Sequence, residues 1–152
     1  MLKEKIQDMS AFGGDPVYVL FMLIAFLGGV KKEFLILLVG LALAYAITFA
    51  IRMFWWQERP DKEKYKNIWE KFDSGSFPSV HAMRATILAL TLAMFYKTAL
   101  AYAGFAVVVL AVCFARVWLK RHRLIDVAVG VPLGVLIYWL APRIINALGL
   151  PA

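Results

Sequence analysis

The chain reads as an all-α, polytopic membrane helix bundle, with about five transmembrane helices and an N-terminal amphipathic helix at the membrane interface. Three observations predict it. Hydrophobic residues make up 62% of the 152 residues, whereas a soluble domain carries roughly 45–50%. Mean hydropathy is +0.73. The apolar residues also fall in long runs separated by short polar islands, as expected of helices that cross a hydrocarbon core of about 30 Å with about 20 residues each. A chain of this length has room for a single membrane-embedded domain, residues 1–152.

From Met1 to Asp15 the chain mixes Lys3, Glu4, Lys5 and Asp8 with Leu2, Ile6, Met9 and Phe12. The apolar positions recur every three or four residues, which places them on one face of a helix lying on the membrane surface, and the stretch lacks the pattern of a cleavable signal. Gly13-Gly14-Asp15-Pro16 breaks that helix and starts the next element. The first predicted span, Pro16 to Val30, is short for a crossing and implies local thinning of the bilayer. The second, Phe34 to Ile51, is long enough. The longest polar stretch follows, from Arg52 to Val80, and carries Trp55, Trp56 and Trp69, a residue type favoured at membrane interfaces.

From Ala82 to Leu119 the chain is apolar except for Arg84, Lys97 and Arg116, and it is too long for one crossing. Lys97-Thr98 divides it into two spans joined by a tight turn. The fifth predicted span runs from about Leu124 to Pro142, where Gly130 and Gly134 stand four apart, a spacing that permits close helix contact.

The formal charge of +7 does not point to nucleic acid, because the basic residues are interleaved with apolar spans and form no soluble basic stripe. Anionic headgroups are the expected partner. Cys113 stands alone, so no intrachain disulfide forms, and its apolar setting reads as packing.

Five crossings place the loop after the second span and the loop after the fourth on the same side of the membrane. Each holds one of the chain's two histidines. The first loop offers Arg52, Arg59, Ser79 and His81; the second offers Arg116, His122 and Asp126. Guanidiniums, a hydroxyl and imidazoles suit a phosphate dianion, because arginine presents forked donors that match phosphate oxygens. A metal centre would want more carboxylates or histidines and less positive charge, so no metal is expected. His122 and Asp126 are four apart and stack on one helix face. Asp126 then accepts from one ring nitrogen of His122 and leaves the other as a nucleophile, while His81, from the opposite loop, donates a proton to the leaving lipid oxygen.

These residues also carry a family pattern. The chain resembles the type 2 phosphatidic acid phosphatase superfamily, membrane lipid phosphatases related to vanadium haloperoxidases. Arg52, six residues and Arg59-Pro60 stand where the family has lysine, six residues and Arg-Pro. Pro78-Ser79-Val80-His81 stands for Pro-Ser-Gly-His. Ala115-Arg116, five residues, His122, three residues and Asp126 stand for Ser-Arg, five residues, His, three residues, Asp. The resemblance implies a metal-independent, cofactor-free hydrolase that works through a phosphohistidine. It makes His122 the nucleophile, Asp126 its orienting partner and His81 the general acid, with Arg52, Arg59, Ser79, the amides near Val80, and Arg116 binding the phosphoryl oxygens. Three positions depart from the pattern. Arg52 keeps the charge of lysine but not its shape, Val80 adds a side chain that is tolerable at negative φ, and Ala115 removes a hydroxyl worth ~1 kcal/mol of phosphate binding. The family's usual core has six crossings, one more than the five counted here.

Arg84, one turn beyond His81, reads equally as a snorkelling side chain and as a contact to substrate phosphate. Lys120, with Arg121 and Arg123, reads first as headgroup anchoring and second as substrate contact. Trp55, Trp56 and Trp118 read as an interfacial belt. The charged run Asp61 to Asp73 reads as a solvated helix, with a lid over the site as the sharper possibility.

The expected substrate is a membrane lipid phosphate or a polyprenyl phosphate or diphosphate. Two other classes fit parts of the pattern: a non-catalytic lipid-phosphate binder or carrier, and a bis-histidine haem or quinone protein. The arginines argue against the second, and the set of His122, Asp126 and His81 argues against the first. The protein is expected in the cell membrane as a multi-pass chain. The excess of Lys and Arg on the motif side favours a cytoplasmic site, whereas the resembled family often works on the extracytoplasmic face.

Overall fold

The computed structural model describes residues 2–60, 67 and 74–150. Among the described residues there are six α-helices: α1 (Leu2–Met9), α2 (Asp15–Leu27), α3 (Lys31–Phe54), α4 (Val80–Tyr96), α5 (Ala99–Trp118) and α6 (Leu124–Ala147), with a 3-10 turn at Ser10–Gly13. The only β feature among the described residues is a single bridge between Glu58 and Gly75. Most of the charged run Asp61 to Asp73, with Trp69, lies outside the described residues.

Local chemistry sets the helix ends. Asp15 and Pro16 open α2, where a carboxylate suits the positive helix terminus and proline's missing N–H costs nothing. The stop after α2 uses Gly29 at φ 71°, a left-handed conformation that glycine adopts without strain. Ser79 caps α4 through its hydroxyl, which accepts from the Ala82 amide at 3.4 Å. Lys97 ends α4 at φ 52°, and Thr98 starts α5 by accepting from the Ala101 amide at 3.1 Å. The tight turn expected at Lys97-Thr98 is therefore present. Asp126 caps α6 by accepting the Arg123 N–H at 2.7 Å.

α4 is the hub of the bundle. Every residue from Ala82 to Ala89 is buried, and Met83, Ile87 and Leu88 share one apolar cluster with Tyr18, Leu37, Ala44 and Ile137. A helix that is apolar all round buries all of its faces. α6 reaches α4 through the two glycines: a Cβ at Gly130 would sit 2.8 Å from the Ser79 carbonyl oxygen, and one at Gly134 would sit 2.8 Å from that of Met83. The close contact expected from their spacing is real. Cys113 packs beside Ala85, Ala89, Val109 and Val112 between α4 and α5.

Two expectations are met in part. The structure supports three to four candidate spans where about five were expected. α3, α5 and α6 are long and apolar enough to cross, and α1 with its turn plus α2, bent by 41°, supply at most one more. α2 has 13 residues, which is ~20 Å of helix, and α4 has 17 residues. Hydropathy alone does not separate a crossing from a helix buried by its neighbours. The N-terminal segment also does more than lie on a surface. Ser10 and Gly13 are buried, and Phe12 stacks on Phe105 of α5 with ring centroids 6.5 Å apart.

Candidate active site

The two polar islands meet at one end of α4. Ser76 donates its N–H to the Gln57 carbonyl at 2.8 Å, and Ser79 donates its N–H to the Asp126 carbonyl at 3.1 Å. These bonds tie residues 76–79 to the segment after α3 on one side and to the first turn of α6 on the other. Arg52, buried in the last turn of α3, clamps the same loop: its Nε donates to the Phe77 carbonyl at 3.2 Å and its Nη2 to the Pro78 carbonyl at 3.3 Å. The Phe77–Pro78 peptide is cis.

His122 is buried. The last turn of α5 sets it in place, because the Arg116 carbonyl accepts the backbone N–H of Arg121 at 3.1 Å and that of His122 at 3.2 Å. Its ring Nδ1 lies 2.7 Å from the Ser76 carbonyl oxygen and 3.7 Å from Asp126 Oδ2. A carbonyl only accepts, so Nδ1 carries the proton and Nε2 keeps its lone pair. This refines the expectation that Asp126 takes the ring proton. The acceptor at hydrogen-bond distance is a main-chain oxygen, while Asp126 Oδ2 is held by the Arg123 amide and stands beside the ring as a fixed negative charge. Burial, then the nearby charges of Arg116 and Arg59, hold the His122 imidazolium below its ordinary range, against the opposing influence of Asp126 and the Ser76 carbonyl. A neutral ring with an open Nε2 is the nucleophilic form.

Arg116 is buried in the last turn of α5. Arg59 follows the Glu58–Gly75 bridge and is half-buried. Both act electrostatically on His81 and on His122. Val80, at the first position of α4, has negative φ, since the positive-φ residues other than glycine are Lys97 and Lys120. Ala82 spends its amide on the Ser79 hydroxyl, which leaves the Val80 and His81 amides at the positive end of the helix dipole, where an anion is favoured. Ser79 Oγ, accepting in that cap, still has its own hydrogen to give.

Two further residues, Arg84 and Lys120, were considered for substrate contact. Arg84 is buried and does not snorkel. Its Nε donates to the Gly13 carbonyl at 3.0 Å, and its Nη1 pairs with Asp15 and with the Tyr45 hydroxyl at 2.8 Å. A charge inside an apolar helix needs such partners, and they tie the guanidinium to the N-terminal break. Lys120 is an exposed turn residue at φ 57°. Among the described residues, no three His, Cys, Asp or Glu side chains gather as metal ligands would.

Ser76, Gly13, Asp15 and Tyr45 did not stand out in the sequence as site residues. Ser76 and Gly13 act through main-chain oxygens, which carry no side-chain signature. Asp15 read as a helix start; the one available hint was that Arg84, inside an apolar run, needed a carboxylate partner.

An apolar helical bundle that seats a histidine among guanidiniums beside a helix N-terminus has the donors that suit a phosphate group at a membrane. The chain belongs to the PAP2 superfamily, whose profile matches residues 33–149, and is accordingly a hydrolase of lipid phosphate esters. Its fold is similar to that in the crystal structure of Aquifex aeolicus LpxE, with a TM-score of 0.76 and 19% sequence identity, over 93% of this chain and 86% of that chain. No curated protein sequence matches it.

Proposed function

We propose that this protein removes phosphate from a lipid or polyprenyl monophosphate or diphosphate through a phosphohistidine on His122, without a metal ion. The observation that carries the reading is the 2.7 Å contact from His122 Nδ1 to the Ser76 carbonyl, which commits one ring nitrogen and leaves Nε2 as an electron pair in a cationic pocket. Arg59, Arg116, the Ser79 hydroxyl and the first amides of α4 hold the phosphoryl oxygens, and Arg52 supports that cradle through the Phe77 and Pro78 carbonyls. Nε2 attacks phosphorus as the bond from phosphorus to the lipid oxygen breaks. His81 gives its ring proton to the departing oxygen, which leaves as the lipid alcohol, and the ring regains a proton from the water that attacks next. Asp126 stabilises the positive charge that the phosphorylated ring acquires. Water then attacks phosphorus, the P–N bond breaks, and inorganic phosphate departs.

The substrate enters from the bilayer, with tails in lipid and headgroup at the histidines. α2 and α4 count as short crossings in a five-span arrangement that puts both histidine loops on one side, and the charge bias makes that side cytoplasmic. The test is phosphate release from phosphatidate, phosphatidylglycerophosphate and polyprenyl mono- and diphosphates in the presence of a chelator. Release from at least one of these, abolished in His122→Ala, is expected. A requirement for a divalent cation, or full activity in His122→Ala, would overturn the mechanism.

A further inference from the structure

Arg84 touches the site through its third nitrogen. Nη2 lies 3.4 Å from Nδ1 of His81, while Nε and Nη1 are held by Gly13, Asp15 and Tyr45. The group is closed, because the Tyr45 hydroxyl also donates to Asp15 Oδ1 at 2.6 Å. Gly13 approaches so closely that a Cβ there would stand 2.5 Å from the His81 carbonyl oxygen. A guanidinium has donors and no acceptor, so the His81 nitrogen that faces it must present a lone pair. The ring proton then sits on the other nitrogen, Nε2.

We infer that Arg84, braced by Asp15, Tyr45 and the Gly13 carbonyl, is a positioning residue that holds His81 as a neutral ring with its proton on Nε2, ready to donate to the leaving-group oxygen. Arg84 touches no reacting atom. Its effect is to choose the tautomer and orientation of the donor, and the N-terminal turn thereby becomes part of the active-site frame. The inference rests on the proposed role of His81 and deepens it, because it says what makes that ring a donor at the right nitrogen. In the step that Arg84 governs, the Nε2–H bond of His81 breaks as the proton passes to the leaving oxygen, and the ring is reprotonated by the water that attacks the phosphohistidine.

Two measurements test it. The chain has two histidines, so nitrogen NMR of 15N-histidine-labelled protein in nanodiscs, assigned with His81→Ala, reads the tautomer directly. The neutral His81 ring is expected to be protonated on Nε2 in the wild type, with the proton redistributed in Arg84→Met. The second measurement compares a long-chain alkyl phosphate, whose alkoxide leaves poorly without a donor, with a nitrophenyl phosphate, whose leaving group departs unaided. Arg84→Met, like His81→Ala, is expected to lose at least about tenfold more in kcat on the alkyl than on the aryl substrate, the scale of general acid help. Arg84→Lys should recover part of the difference. Asp15→Asn and Tyr45→Phe, which loosen the guanidinium without removing it, should shift in the same direction by less, and they decide the matter if Arg84→Met does not fold. A wild-type His81 protonated on Nδ1, or equal losses on both substrates with the tautomer unchanged, would overturn the inference. If the wild type releases phosphate from neither substrate, the proposed function fails, and the tautomer measurement still judges Arg84 by itself.

Discussion

Ser79 gives its backbone N–H to the Asp126 carbonyl at 3.1 Å, so the start of α4 and the first turn of α6 are one unit. The residue that caps α4 is bonded to the residue that caps α6, and the phosphate cradle and the nucleophile's partner cannot shift independently. Asp126→Asn keeps an oxygen able to accept the Arg123 amide and removes only the charge. It is expected to melt within about 1 kcal/mol of the wild type, the scale of one cap. Its kcat should fall by about 10²-fold or more, because charge stabilisation at the developing cation is lost. Thermal melting and phosphate release on the same preparation check both halves, and a variant that lost stability but kept kcat would contradict the assigned role.

The titration of His122 gives a second prediction, whose sign follows from its surroundings. Burial and the charges of Arg116 and Arg59 disfavour the imidazolium, while Asp126 favours it. As pH falls, the ring therefore stays neutral below the ordinary histidine midpoint of about 6.5. NMR of the labelled histidine is the better probe, since the substrate phosphate itself titrates near pH 6. The midpoint is expected below 6.5 in the free enzyme and lower still in Asp126→Asn, which removes the favouring charge. A rise in that variant would contradict the electrostatic picture.

The His122 and Asp126 pairing was legible because a spacing of four puts two side chains on one helix face. Which oxygen receives the ring proton was not, because the Ser76 carbonyl is main chain and any residue could offer it. The contact between α4 and α6 could be read from Gly130 and Gly134, and the turn from Lys97-Thr98. The fate of Arg84 was hidden for another reason: its carboxylate, Asp15, stands 69 positions away, and nothing local announces a long-range pair. The amphipathic pattern before Gly13 revealed an apolar face without saying whether lipid or protein would cover it, and Phe12 meets Phe105. Length and hydropathy do not by themselves mark α2 and α4 as spans, because a helix buried among helices is as apolar as one in lipid.

Gly134 has backbone where a side chain would go. Its Cβ would lie 2.8 Å from both the Met83 carbonyl oxygen and Thr86 Cβ, neither of which is the end of a flexible chain. Gly134→Val should force α6 off α4 at a cost of about 1–3 kcal/mol and lower the melting temperature, with activity falling through the shared cap. Gly104 has open space around its position, so Gly104→Ala is the control, expected to leave melting unchanged.

The membrane side is open to a direct measurement. In a Cys113→Ala background, Lys120→Cys lies in the exposed turn before His122 and Lys97→Cys lies in the turn between α4 and α5. A membrane-impermeant thiol reagent added to intact cells should label Lys97→Cys and spare Lys120→Cys if the histidines face the cytoplasm, as the charge bias predicts. The opposite pattern would put the site on the outer face.

Arg52 was expected to hold phosphate, yet the bonds from its Nε and Nη2 run to the Phe77 and Pro78 carbonyls. Its substitution should therefore reach stability as well as binding. Arg52→Ala leaves carbonyls beside the cradle without a donor, a loss of about 1–3 kcal/mol. It also frees the loop whose Ser76 oxygen orients His122, and a shift of about 1 Å there would lower kcat by about 10²-fold. Arg52→Lys keeps the charge but offers a point donor where the arginine offers a fork. If the loop clamp is what matters, the lysine variant recovers KM better than it recovers kcat and the melting temperature. If phosphate contact alone matters, lysine restores both KM and kcat with no stability defect, so the two variants measured side by side separate the roles.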